Sequence, residues 1–151
     1  MQARMSSVGL LVPEAVKALI AFNAAGRTDA VPEQTAQLIR LRASQINGCS
    51  VCTGMHALQL RQAGASDERV AAVAAWRHAR CFTDPERAAL ALTEAATRLA
   101  DATDPVPDEV WDAAAAHYDE RGLAGLLIEI ATINAFNRLS VPIHQPAGVD
   151  S

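Results

Sequence analysis

The apolar positions of this chain fall into runs with helical spacing, and each run is closed by a turn or cap signal. A first helix is predicted from Pro13, where a missing N–H is harmless, to the turn Gly26-Arg27-Thr28-Asp29, with Val16, Leu19, Ile20 and Phe22 on its apolar side. Pro32 opens a second helix carrying Leu38, Ile39, Leu41, Ala43 and Ile46, and Asn47-Gly48 stops it. A third is predicted over 50–63, ending at Gly64, and Ser66-Asp67-Glu68 caps a short fourth over 70–76. Residues 78–82 read as a connector. Thr83 with Glu86 three places on is a capping-box start for a long helix to about residue 100. The two prolines within 104–108 mark a loop, Val110, Trp111, Ala114 and Ala115 suggest another helix, and Gly122 restarts the chain into a last one over 123–139. That last helix is apolar nearly all round, which sends it to the centre of the domain or against another subunit. The tail after Pro142 is expected to be irregular.

This pattern predicts an all-α bundle of about six to seven helices in a single domain spanning 1–151. Composition supports it: half of the 151 residues are hydrophobic, yet only 4% are aromatic, a mixture rich in Ala and Leu that suits close helix packing. A formal net charge of −4 with scattered basic residues offers no positive stripe for nucleic acid or an anionic membrane. The apolar runs are too short to span a bilayer, and the start of the chain carries no apolar stretch with a cleavage site, so a cytoplasmic protein is expected. Three cysteines in such a compartment do not describe a disulfide scaffold, so a close pair asks for a chemical reason.

That pair lies in Asn47-Gly48-Cys49-Ser50-Val51-Cys52-Thr53-Gly54-Met55-His56. On a helix that begins at the Asn47-Gly48 turn, Cys49, Cys52 and His56 project from one face. Unpaired N–H groups at a helix start favour the thiolate, which is the nucleophilic form. A thiolate that attacks a peroxide becomes a sulfenic acid, and a second thiol one turn away condenses with it to a disulfide. His56 titrates near neutrality in water and is the natural proton acceptor. Metal binding is the weaker reading, because a structural zinc needs four ligands and only the distant Cys81, His78, His117 and His144 remain. A purely structural pair with a hydrogen-bonded histidine is the bland alternative.

The stretch 38–49 continued through His56 closely resembles the alkylhydroperoxidase D-like branch of the carboxymuconolactone decarboxylase superfamily. The likeness extends more weakly through Ala75-Trp76-Arg77, 82–92 and 133–138. It implies an all-helical fold assembling into trimers or hexamers, with no metal or flavin. It also implies Cys52 as the peroxide-attacking cysteine, Cys49 as the resolving one, His56 as a proton relay, and a lipoyl dithiol or thioredoxin-like donor as reductant. Helix-dipole reasoning alone favours Cys49 as the more exposed thiolate. One departure from the branch matters: Gln37 stands where the relay glutamate is usual, and an amide orients a partner without accepting its proton. Glu33, one turn earlier, either substitutes or compensates the helix dipole; Glu129 is another carboxylate that needs a partner. His78, His117 and His144 are assigned no role. Cys81 reads as a small buried hydrophobe or an extra redox thiol, and Trp76, Trp111 and Phe82 as core or interface aromatics.

The expected activity is therefore that of a thiol-dependent peroxidase acting on a small peroxide. The competing expectations are a redox sensor or scaffold with slow turnover, and a cofactor-free decarboxylase on the same fold, against which the cysteine pair argues.

Overall fold

The computed structural model describes residues 2–148, and these contain eight α-helices, two 3₁₀ segments and no strand. In chain order the helices are α1 (Val8–Leu11), α2 (Pro13–Ala25), α3 (Glu33–Asn47), α4 (Ser50–Gln62), α5 (Asp67–Ala72), α6 (Asp84–Thr97), α7 (Asp108–Ala115) and α8 (Glu120–Ser140). The 3₁₀ segments, Val73–His78 and Leu99–Asp101, follow α5 and α6. The expected count of six to seven is low by one. The missed helix, α1, is a single turn of 4 residues with no buried side chain, too short to leave a periodic pattern. The segment read as one short helix over 70–76 is split, with α5 passing into the first 3₁₀ segment and Ala75 taking a non-helical conformation. No described helix is long and apolar enough to cross a membrane.

Helix α3 is the axis of the bundle, and its side chains feed three apolar clusters. Leu38 and Leu41 meet Leu60, Val73, Trp76 and Leu90; Ile39 joins Leu92, Tyr118, Leu126 and Ile130; Ala43 packs with Cys49, Cys52 and Ile133. The cysteine pair thus sits in the third cluster, at the end of the central helix. The local signals fold as the residues dictate. Thr83 and Glu86 form both halves of the capping box, and Ser66 accepts from the Arg69 N–H. Helix α2 comes close enough to α8 that a Cβ on Gly26 would meet Ile128 at 2.4 Å, so only glycine fits there.

Trp76 and Phe82 are buried, as expected of core aromatics, whereas Trp111 is 38% exposed. His78 and His117 are exposed. Cys81 is half-buried and free, and its backbone carbonyl accepts from Arg69. The tail is held back on the body through Gln145 N–H to Ser140 O, 3.1 Å, and through Arg4, whose N–H reaches Ile143 O at 2.9 Å. Residues 149–151 of the expected irregular tail lie outside the described residues.

The cluster under Trp76 is closed by a charge network centred on Glu94 of α6. Its Oε1 accepts from Trp76 Nε1 (2.9 Å) and Arg42 Nε (2.7 Å), and its Oε2 pairs with Arg77. Burial works to raise this carboxyl's pKa, but the hydrogen bonds from Trp76, Arg77 and Arg42 win and bring it down to about 2. A folded pKa below the unfolded one means that this stabilisation is present above pH 4.5 and fades as the pH falls toward 2. Replacing Glu94 by Ala leaves Arg42 unpaired inside the bundle and is expected to cost about 3–5 kcal/mol. Urea unfolding at pH 7 measures this, and a loss below about 1 kcal/mol would contradict the network's role.

Candidate functional site

The site begins with the way α3 ends. Gly48 takes the left-handed conformation, φ 69°, and nothing lies within 4 Å of where its Cβ would be, so the backbone angle and not crowding calls for glycine. Beside it, Asn47 Nδ2 donates to Asn134 Oδ1 (2.9 Å) and Asn137 Oδ1 (2.8 Å) on α8, and Asn137 Nδ2 donates to Ser44 Oγ (3.1 Å). This buried amide network ties the end of α3 to α8 at the point where the chain turns. Cys49 then becomes the N-cap of α4, and its sulfur accepts the Cys52 N–H at 3.3 Å. A cysteine at that position replaces the oxygen of an ordinary cap and meets the positive end of the helix.

Cys49 and Cys52 are joined as a disulfide, with Cα atoms 5.3 Å apart, and both are buried. Cys52 and His56 line one cavity of about 500 Å³, together with Ile20, Val51, Ile133 and Phe136 as apolar wall and Arg40, Asn23 and Gln59 as polar groups. Cys49 does not line it. It borders a second cavity of about 410 Å³ beneath the tail, among Ser50, Val141, His144 and Pro146. Sequence spacing placed all three groups on one face; the N-cap position of Cys49, outside the helix proper, is why it opens elsewhere.

His56 is buried, with Nδ1 3.0 Å from both Gln37 Oε1 and Gln59 Oε1. The roles of these atoms follow from what each can do. Glu33 is a carboxylate and can only accept, and it takes Gln37 Nε2 at 2.7 Å. The other end of that amide, its oxygen, therefore faces the imidazole, so Nδ1 carries the proton and Nε2 keeps its lone pair. Gln37 thus does orient the ring, and Glu33 acts on the ring only through it. Glu33 also pairs with Arg27 and stands 3.8 Å from Arg40.

Glu129, the carboxylate of α8 that needed a partner, has one: it forms a fork with Arg40, Nε to Oε2 at 2.7 Å and Nη2 to Oε1 at 2.9 Å. Burial, then the Arg40 charge, push the His56 pKa down from 6.5 to about 4, against the hydrogen bond that Nδ1–H donates to Gln59, which raises it. The ring is therefore held neutral, with Nε2 as its unprotonated nitrogen.

Sequence reasoning missed Arg40, Gln59 and Asn23. Gln59 was visible as the residue three after His56 on the same helix. Asn23 had no sequence signal. Its Oδ1 accepts from Arg40 Nη2 (3.3 Å), and its Nδ2 is buried with no partner, an unused donor on a residue lining the cavity. Among the described residues, no group of three or more His, Cys, Asp or Glu is placed to hold a metal ion.

These features define a helical protein whose cysteine pair opens α4 against a buried histidine. The chain belongs to the carboxymuconolactone decarboxylase family, whose model matches residues 13–95, in its alkylhydroperoxidase D-like branch. It is 32% identical over 131 residues to the uncharacterized protein YdfG of Bacillus subtilis (strain 168), covering 87% of this chain and 88% of YdfG. Among solved structures, the Agrobacterium tumefaciens protein ATU0492, of unknown function and linked by its name to the antioxidant defence protein AhpD, superposes with a TM-score of 0.89. The two are 30% identical, and the match covers 99% of this chain and 100% of that one. The debrominase Bmp8 shares the fold at a TM-score of 0.78 and 19% identity, over 91% of this chain and 73% of its own.

Because the folded pKa of His56 lies below the unfolded one, the folded state binds fewer protons between them. Stability from this group is complete above pH 6.5 and falls by roughly 3 kcal/mol as the pH drops through 4. Titration of the disulfide form by imidazole NMR is expected to show His56 near 4. Gln37→Glu, which puts an acceptor able to carry charge on Nδ1–H, is expected to raise it by about one to three units. An unshifted value would contradict the hydrogen bond's direction.

Proposed function

We propose that this protein is a thiol-dependent peroxidase acting on organic hydroperoxides, with Cys52 as the attacking thiolate, Cys49 as the resolving thiol and His56 as the proton acceptor. The observation that carries this reading is that Cys52 and an imidazole with a free Nε2 share the wall of a largely apolar cavity of about 500 Å³. An apolar cavity of that size receives the body of an alkyl hydroperoxide better than it receives a molecule as small and hydrated as hydrogen peroxide.

In the reduced protein, Nε2 of His56 takes the Cys52 proton. The thiolate attacks the distal peroxide oxygen, the O–O bond breaks, and the alkoxide leaves as the alcohol with a proton returned from His56. Cys52 is then a sulfenic acid. Cys49, one turn away at the N-cap, displaces its hydroxyl as water and forms the disulfide. A dithiol donor of the lipoyl or thioredoxin-like class supplies the two electrons that reset the pair. Gln37 favours a second reading, a slow redox sensor, because an amide holds the ring without sharing its charge. Disulfide formation in stoichiometric amount, without turnover on any donor, would mark that reading.

Steady-state reduction of cumene hydroperoxide with dihydrolipoamide tests the proposal. Cys52→Ser is expected to abolish turnover, and His56→Ala to slow it by about 10²-fold or more. Cys49→Ser is expected to leave a sulfenic acid at Cys52 that dimedone traps. Turnover unaffected by Cys52→Ser would reject the mechanism.

We also propose that the working form is a homo-oligomer, a trimer or hexamer, closed over α1 and α2. Helix α2 has no buried residue, and Leu10 (78% exposed), Leu11, Val12, Ile20 and Phe22 leave the apolar side of the pair uncovered. An isolated 13-residue helix is marginal in water without such a partner surface. Light scattering is expected to give a multiple of 16.0 kDa, and Phe22→Glu to reduce it. A monomer at micromolar concentration would contradict this.

A further inference from the structure

The disulfide is built with a different cavity on each side. Cys52, with His56, lines the apolar cavity between α2, α4 and α8, and Cys49 does not; Cys49 lines the cleft under the tail, and Cys52 does not. Ser140 and Gln145 line both and stand between them. The tail that roofs the second cleft is fixed by Gln145 N–H to Ser140 O (3.1 Å) and by Ser50 Oγ to Gln145 O (3.5 Å), so the cleft is part of the fold.

From this we infer that the tail cleft is the docking site of the reductant, a slender dithiol that attacks Cys49, separate from the cavity in which peroxide meets Cys52. The inference rests on the redox reading of the pair above and deepens it by giving the second substrate its own entrance. Attack on a disulfide is a displacement at sulfur, and the incoming thiolate approaches opposite the sulfur that leaves. A thiolate that strikes Cys49 therefore comes from the side away from Cys52. A thiolate that strikes Cys52 would have to enter the peroxide cavity, where Arg40, Gln59 and His56 already occupy the polar positions. The cleft holds about 410 Å³, enough for an unbranched dithiol chain, with Val141, Pro146 and Ala147 as apolar wall and Ser50 and His144 as polar edge.

The step balances as follows. One thiolate of the dithiol forms a sulfur–sulfur bond to Cys49 as the Cys49–Cys52 bond breaks, and Cys52 leaves as thiolate and takes a proton. The second thiol of the donor, having lost its proton, attacks its own mixed-disulfide sulfur. Cys49 leaves and is protonated, and the donor closes to a cyclic disulfide. Two electrons pass from donor to protein, and the two protons of the dithiol end on Cys49 and Cys52. Cys52 is thereby released as a thiol on the side that faces His56 and the peroxide cavity, ready for the next oxidation. Entry of a bulky protein thiol is disfavoured by the same roof, so a donor of this kind reaches the cleft as an extended arm.

Two measurements on the full chain test the inference. The oxidised protein is mixed with a monothiol, N-acetylcysteamine, acid-quenched at early times, and the mixed disulfide is located by peptide fragmentation. The adduct is expected on Cys49, and an adduct mainly on Cys52 would overturn the proposal. Separately, Ala147→Trp fills the cleft at an exposed position. It is expected to slow reduction of the disulfide by dihydrolipoamide at least 10-fold, while oxidation of the reduced protein by cumene hydroperoxide stays within twofold. Unchanged reduction, or equal slowing of both half-reactions, would overturn the separate entrance. Ala147→Ser, which leaves the cleft open, should behave as the parent, and slowing there would also count against it. Each half-reaction is read alone. A pair that dithiol reduces but peroxide fails to oxidise would sink the peroxidase reading and leave the docking result standing.

Discussion

Between Asn47 and Cys49 the main chain leaves the central helix α3 through one left-handed residue, and the placement of Cys49, Cys52 and His56 depends on that turn. Gly48 provides the backbone angle, and Asn47 locks it by giving both amide protons to asparagine oxygens on α8. If the turn were loose, Cys49 would not cap α4, and the sulfur would not meet the Cys52 N–H. The fully buried Ser44 and Asn137 tie the same corner from below. Buried polar groups are costly when half satisfied, so a network in which each amide finds partners gives the corner one geometry rather than several.

Orientation in the site is transmitted by groups that can only accept or only donate. Glu33 fixes the Gln37 amide, and the amide fixes the tautomer of His56; Arg40 in turn fixes the Asn23 amide and satisfies Glu129. The consequence is a histidine that is neutral over the working pH range with its free nitrogen known. The Arg40–Glu129 fork keeps a net charge out of the cavity wall while still depressing the imidazole.

Much of this was legible in the residues. The prolines at 13 and 32, the Thr83–Glu86 box and the Asn47-Gly48 stop fix helix boundaries through local chemistry alone, and the structure follows them to within a residue or so. The family likeness and the all-α class were equally plain from the motif around Cys49 and from the helical periodicity. Other features need the tertiary fold. Asn23 and Arg40 reach the site from different helices, and no spacing in the chain brings them together. Glu129 looked unpartnered because Arg40 lies 89 residues away. Cys49 was placed on the face shared by Cys52 and His56 because periodicity treats the N-cap as helix, whereas its extended backbone turns it toward the tail. Helix α1 was missed because a single turn carries too few positions to show a period, and the 3₁₀ segment after α5 was read as a continuation of its helix because six residues do not separate a period of about 3.0 from one of about 3.6.

The most direct test of the central claim is a thiol count on the fully reduced protein after rapid mixing with one equivalent of cumene hydroperoxide at pH 7, quenched by alkylation and mapped by mass. The expected result is one mole of alcohol per chain, with loss of the thiols at Cys49 and Cys52 together and the Cys81 thiol retained. Retention of both motif thiols, or oxidation that falls on Cys81 instead, would contradict a redox centre at the start of α4.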